Sequence, residues 1–145
     1  MSACTFFGHR DCSAEIVPRL REAILALVAD RGVDLFYVGH QGRFDAIVRR
    51  VLRELQQEFP QLQYAVVLAY PPGMGNALED YSDTMLPEGI ETVHPRYAIS
   101  RRNDWMLQRS DYVITYITHS WGGAAQYAKK ALRLKKTVIP LCDAL

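Results

Sequence analysis

The chain has 145 residues, of which 49% are hydrophobic and 23% charged, and its formal net charge is +1. That length fits one domain, residues 1–145, and the near-neutral charge argues against a dedicated binder of long nucleic acid, whose footprint is strongly basic. No apolar run reaches the roughly 20 residues a membrane span needs, and the N-terminus lacks the basic lead and apolar core of a secretory signal, so a cytoplasmic protein without a membrane partner is expected. Cys4, Cys12 and Cys142 are odd in number and lack C-x-x-C spacing, which points away from a disulfide framework and from a zinc knuckle.

In chain order, residues 3–7 are a short apolar run that predicts a strand, followed by the turn Gly8-His9-Arg10-Asp11. Ile16, Val17, Leu20, Ile24, Leu27 and Val28 then recur at spacings of three and four, the signature of an amphipathic helix. Pro18 belongs in its first turn, and Gly32 ends it. Residues 35–38 predict a second strand, with the turn Gly39-His40-Gln41-Gly42-Arg43 behind it. A second helix buries Phe44, Ile47, Val48, Val51, Leu52 and Leu55, and Pro60 stops it. Residues 64–69 predict a third strand, which Tyr70-Pro71-Pro72 breaks off.

From residue 71 to 95 the periodicity lapses. Residues 73–95 carry five acidic side chains (Glu79, Asp80, Asp83, Glu88, Glu91) and no Lys or Arg. An irregular stretch of that length inside a small domain reads as a lid or binding loop. Residues 96–109 predict a third helix carrying Arg101, Arg102 and Asn103. Residues 112–117 and 137–141 are β-branched strands flanking a fourth helix. The turn into that helix is Thr118-His119-Ser120-Trp121-Gly122-Gly123.

Strands alternating with helices imply a Rossmann-like α/β fold, a three-layer α/β/α sandwich around a mostly parallel five-stranded sheet. Right-handed crossovers favour the strand order 3-2-1-4-5, with the direction of winding reversing between strands 1 and 4. Ligands bind at such reversals. There the turns after strands 1, 2 and 4 are expected to meet, with glycines that let backbone N–H groups approach an anion.

The pieces Phe7-Gly8-His9-Arg10, Val38-Gly39-His40-Gln41-Gly42-Arg43-Phe44-Asp45, Leu68-Ala69-Tyr70-Pro71, Arg102-Asn103-Asp104-Trp105 and Ser110-Asp111-Tyr112 through Gly122-Gly123-Ala124 resemble the SLOG superfamily. That superfamily joins the DNA-processing protein DprA to the LOG phosphoribohydrolases, and the chain is most similar to its small bacterial YpsA-like branch. The resemblance implies glycine turns that hold a nucleotide or nucleotide-derived ligand, often in a homodimer. LOG enzymes carry P-G-G-x-G-T-x-x-E, whose glutamate takes part in cleaving an N-glycosidic bond. Here Trp121 stands in place of the proline, Ala125-Gln126 in place of Gly-Thr, and Lys129 in place of the glutamate. A cation there disfavours the LOG reaction but leaves binding possible.

The expected ligand site comprises Gly8, His9 and Arg10; Gly39, His40, Gly42, Arg43, Phe44 and Asp45; Tyr70; Arg102 and Asn103; and His119, Ser120, Trp121, Gly122 and Gly123. The arginines suit a phosphate, Asn103 a ribose, and Tyr70 or Trp121 a base. His9, His40 and His119 would be a zinc set if they converged, but no short His-x-x-x-His spacing fixes two on one helix, so neither a metal nor another cofactor is expected. The leading expectation is a binding module for a small phosphorylated nucleotide derivative of adenine or ADP-ribose type. The alternatives are an N-glycosidase using Asp45 or a lid carboxylate, and a single-stranded DNA binder.

Overall fold

A computed structural model describes residues 2–72 and 81–142. Its centre is a fully parallel sheet in the order β4-β3-β2-β1-β5-β6, built from β1 (Ser2–Gly8), β2 (Val33–Val38), β3 (Gln63–Val67), β4 (Thr84–Met85), β5 (Tyr112–Tyr116) and β6 (Thr137–Pro140). The five expected strands keep their expected order, with the winding reversed between β1 and β5. The sixth was not expected: Thr84–Met85 pairs outside β3, within the stretch expected to be irregular. Two residues are too few to show an alternating pattern, so pairing rather than periodicity defines this strand.

Successive side chains of a strand point to opposite faces, and β1 shows it. Cys4 and Phe6 face α1 (Val17–Arg31) and α2 (Gly42–Glu58), in a core with Leu20, Ile24, Ile47, Val51 and Leu55. Phe7 faces the other way. There α3 (Pro95–Gln108) and α4 (Gly123–Arg133) cover a smaller cluster of Met106, Leu107, Val67, Val113 and Ala131. Pro18 sits in the first turn of α1, and Gly32, at φ 67°, caps its end.

Asp83 anchors the segment that carries β4. Its carboxylate accepts from Arg49 Nη2 at 2.7 Å and Nε at 3.1 Å, and from the Tyr64 hydroxyl at 2.8 Å. Burial alone would raise the Asp83 pKa, but the bonds from Arg49 and Tyr64 outweigh it and leave the carboxyl below its ordinary value. Asp83 is therefore a tether and not a solvated loop charge. Glu79 and Asp80 lie outside the described residues.

The chain leaves α4 through Lys135, whose φ of 61° puts a non-glycine residue in the left-handed region. The N–H groups of Lys135 and Lys136 donate to Leu132 and Ala131, as in a helix cap that ordinarily uses glycine. Lys135→Gly is expected to stabilise the protein by about 0.5–1 kcal/mol, the strain removed outweighing the added freedom of the unfolded chain. Urea denaturation checks this, and a lower midpoint in the variant would contradict it.

Candidate functional site

At the carboxyl ends of β1 and β5 lies an open cavity of about 420 Å³. The turn after β1 supplies Gly8, His9, Arg10 and Asp11. The turn after β5 and the start of α4 supply His119, Trp121, Gly122, Gly123 and Ala124. Gln41 and Asp45 come from the start of α2, and Ile99, Arg102, Asn103 and Met106 from α3. Four separate stretches of chain thus meet at the winding reversal, as the general rule for open α/β sheets requires.

The first wall is a column of rings. His9 stacks on His119 with centroids 3.6 Å apart, and His119 stacks on Trp121 at 3.8 Å. His9 is 7% exposed, while Trp121 is 68% exposed at the open end of the column. The His119 backbone N–H donates to His9 Nε2 at 3.4 Å, and the His9 backbone N–H donates to the Tyr116 carbonyl. Burial, and then the neighbouring His119, lower the His9 pKa. Gly122 follows at φ 96°, a conformation that side chains resist, and its carbonyl accepts the N–H of Gln126 to start α4. The geometry of a helix start leaves the N–H groups of Gly123 and Ala124 without intrahelical partners, at the positive end of the helix dipole. A Cβ at Gly123 would meet open space.

The second wall is polar and buried. Arg102, 2% exposed, donates from Nη1 to the Val67 carbonyl at 2.9 Å, from Nη2 to Gln41 Oε1 at 2.6 Å and from Nε to Asn103 Oδ1 at 2.8 Å. Asp45 reaches back from the first turn of α2 to accept the Gln41 N–H at 2.9 Å. A Cβ at Gly39 would lie 2.9 Å from both the Arg102 guanidinium carbon and Asp45 Oδ2, so a bare glycine is what lets the two charges approach. Burial pushes the Asp45 pKa from 3.8 up to about 6, although Arg102 and the Gln41 N–H work against it.

With the folded-state pKa above the unfolded one, Asp45 favours folding in its protonated form. That contribution is whole below about pH 4 and is lost as the pH rises through about 6. Asp45→Asn, which keeps the bond from Gln41, is expected to flatten the stability profile across this interval. Urea unfolding at a series of pH values checks it, and an unchanged profile would contradict it.

Of the residues expected at the site, Gly8, His9, Arg10, Asp45, Arg102, Asn103, His119, Trp121, Gly122 and Gly123 line the cavity. The others do not. Phe44 is fully buried and packs against Gly8, because it is the core-facing residue of its turn. Gly42, at φ 86°, lets the start of α2 press on Arg10, whose carbonyl accepts the Arg43 N–H at 2.9 Å. Gly39 sits behind the Arg102–Asp45 pair. Tyr70 donates its hydroxyl to the Pro95 carbonyl, and His40, Arg43 and Ser120 stand off the lining. The turn after β2 therefore serves mainly as packing and contributes Gln41 alone to the wall.

His9 and His119 meet but His40 does not join them, and no cluster of three or more metal-ligating side chains occurs among the described residues. No described residue of 81–95 lines the cavity. Phe6, Phe7, Asp11, Gln41, Ile99, Met106 and Ala124 also line the cavity, although none was singled out as a ligand residue. Gln41 and Asp11 were readable as turn neighbours of expected residues, whereas Ile99 follows only from how α3 packs.

No family model matches the sequence, and no curated protein matches it. Among solved structures, the X-ray structure of DNA processing protein A (DprA) from Streptococcus pneumoniae aligns with 97% of this chain at a TM-score of 0.66 and 15% identity. The chain has a DprA-like, Rossmann-like fold. It spans 50% of the length of that DprA chain. The likeness agrees, at the level of fold, with the resemblance to the SLOG superfamily. Among the described residues no helix is long and apolar enough to cross a membrane.

Proposed function

We propose that this protein, a SLOG-type domain of the YpsA-like branch, captures a small phosphorylated nucleotide derivative of adenine or ADP-ribose type in the β1/β5 cavity. The observation that carries this reading is the meeting of an open helix start at Gly122-Gly123, an exposed indole at Trp121 and the Arg102–Asn103–Asp45 wall around one cavity. The main-chain N–H groups of α4 and the side chain of Arg10 suit a phosphate. The free face of Trp121 suits a base, and Asn103 with Asp45 suits the ribose hydroxyls. Such a protein serves as a sensor, carrier or sequestering subunit, and a homodimer is the expected assembly.

One observation favours a second reading, a nucleotide N-glycosidase. Asp45 is a buried carboxyl in the cavity wall with a pKa of about 6, the kind of group that moves protons near neutral pH. Its carboxylate would take a proton from a water whose oxygen attacks C1′ of the ribose while the C1′–N bond breaks, its electron pair leaving with the base nitrogen, which takes up a proton from solvent. Lys129, at the LOG glutamate position, is exposed and stands off the cavity, so the LOG catalytic arrangement is not reproduced.

The test is calorimetry of purified protein with a panel of AMP, ADP, ADP-ribose and uncharged adenosine, followed by chromatography of the recovered ligand. Binding of phosphorylated members with intact recovery supports the binder. Release of free base in excess of protein supports the enzyme, and binding of adenosine as tightly as AMP contradicts both. Native mass spectrometry of the same sample reads the subunit count, expected to be two. A labelled single-stranded oligonucleotide is expected to show no salt-sensitive binding.

A further inference from the structure

Resting on the reading of this cavity as an anion site, we propose that its guest's phosphate binds together with one proton, carried by the imidazole of His119 within the His9–His119–Trp121 column. The two histidines are not equivalent. His9 already uses Nε2 to accept the His119 backbone N–H, so its lone pair is engaged and its remaining ring hydrogen belongs on Nδ1. A proton added at Nε2 would break that bond and loosen the turn that carries His119. Its burial and its lowered pKa act in the same direction.

His119 is the ring with capacity to spare. Its Nδ1 is buried and has no hydrogen-bond partner among the described residues, the one side-chain atom of which this is so. Its Cε1, which joins the two ring nitrogens, lies 4.0 Å from where a Gly122 side chain would begin, so that end of the ring looks toward the start of α4, where the anion is expected. On one face His119 meets Trp121 at 3.8 Å, and an aromatic face stabilises a cation. On the other it meets His9 at 3.6 Å, where two positive charges would repel, so the column holds one proton and not two. An anion at Gly122-Gly123 supplies the charge that an imidazolium at this position needs.

The other charged groups around the column are Arg10 and Asp11 from the turn after β1, Asp45 from α2 and Arg102 from α3, with Tyr116 edge-on to His9. Asp45 titrates in the same interval and must be separated from the imidazoles.

ADP-ribose is the probe, because its diphosphate bridge does not titrate between about pH 5.5 and 8, unlike a terminal phosphate. Calorimetry in buffers of different ionisation enthalpy is expected to show uptake of roughly 0.5–1 proton per ligand near pH 7.5, with affinity rising up to about tenfold for each unit the pH is lowered. Asp45→Asn, a change in the binding wall itself, is expected to weaken binding but to leave the uptake per bound ligand, whereas His119→Gln is expected to lose the uptake and to bind with a flat pH profile. Should His119→Gln fail to fold, nitrogen-15 shifts of His119 in the unaltered protein give the same answer by moving to imidazolium values when ADP-ribose is added. Binding without proton uptake, or uptake that disappears in Asp45→Asn, overturns the inference and leaves the binding site standing. Absence of ADP-ribose binding at every pH overturns both.

Discussion

Replacing Gly8 with alanine is expected to destabilise the protein by about 3 kcal/mol, at the upper end of what overpacking a core ordinarily costs. A Cβ at this position would lie 2.3, 2.4 and 2.8 Å from three atoms of the Phe44 ring, distances that real contacts do not reach. Phe44 has little room to retreat. Its ring is fully buried and stacks at 6.0 Å on Tyr116, which in turn lies edge-on to His9. The collision should therefore pass from the end of β1 through α2 into the ring column and disturb the cavity as well as the fold. The double variant Gly8→Ala/Phe44→Leu is expected to recover at least half of the loss, because the smaller side chain vacates the space the new methyl needs. Denaturant midpoints of the two variants decide the point. A Gly8→Ala midpoint within about 0.5 kcal/mol of the parent would mean that the turn after β1 is not packed as described.

Arg102→Met is expected to cost at least about 3 kcal/mol, the range for removing one partner from a buried charged network. Methionine fills much of the volume and supplies none of the donors. The Val67 carbonyl, Gln41 Oε1 and Asn103 Oδ1 would each lose a bond that Arg102 now makes. Each such acceptor left buried costs roughly 1–3 kcal/mol, with part of the loss relieved by water entering from the cavity. Asp45 would lose the guanidinium that holds its pKa down, so its pKa should climb further above 6. Arg102→Lys should recover little, because an ammonium at the end of a flexible stem does not reproduce three donors fixed in one plane. Urea denaturation reads the stability and the carbon-13 shift of the Asp45 carboxyl reads the pKa. A variant that keeps its stability while the Asp45 pKa stays at about 6 would show that Arg102 is a bystander.

Much of this organisation was legible in the sequence, for physical reasons. Buried parallel strands demand continuous apolar runs, and helices lying on them demand a 3.6-residue stripe, so β1, β2, β3, β5, β6 and the four helices announced themselves. The strand order followed from the handedness of crossovers. Strand β4 did not announce itself, because Thr84–Met85 owes its place to the tether between Asp83 and Arg49, a contact between residues far apart in the chain. The site was half legible. Glycines mark tight turns, but the sequence does not say what the missing Cβ makes room for. At Gly8 and Gly42 it is a neighbouring element, at Gly39 a pair of charges, and at Gly123 the open cavity. Phe44 illustrates the same ambiguity, since a residue that opens a helix at the rim can point inward as easily as outward. Arg102 was expected as a phosphate clamp, yet three of its donors are already engaged within the protein, which makes it a support for the wall. The ring column needed the fold, because His9 and His119 are 110 positions apart.

The measurement that bears most directly on the account is a nitrogen-15 correlation spectrum of the protein titrated with ADP-ribose. The backbone amides of Gly122, Gly123 and Ala124 are expected to move most, together with the Trp121 indole N–H and the side-chain amides of Gln41 and Asn103, while Gly32 and Gly89, outside the cavity lining, stay in place. Shifts confined to other parts of the chain, or a spectrum that ADP-ribose at millimolar concentration leaves unchanged, would contradict it.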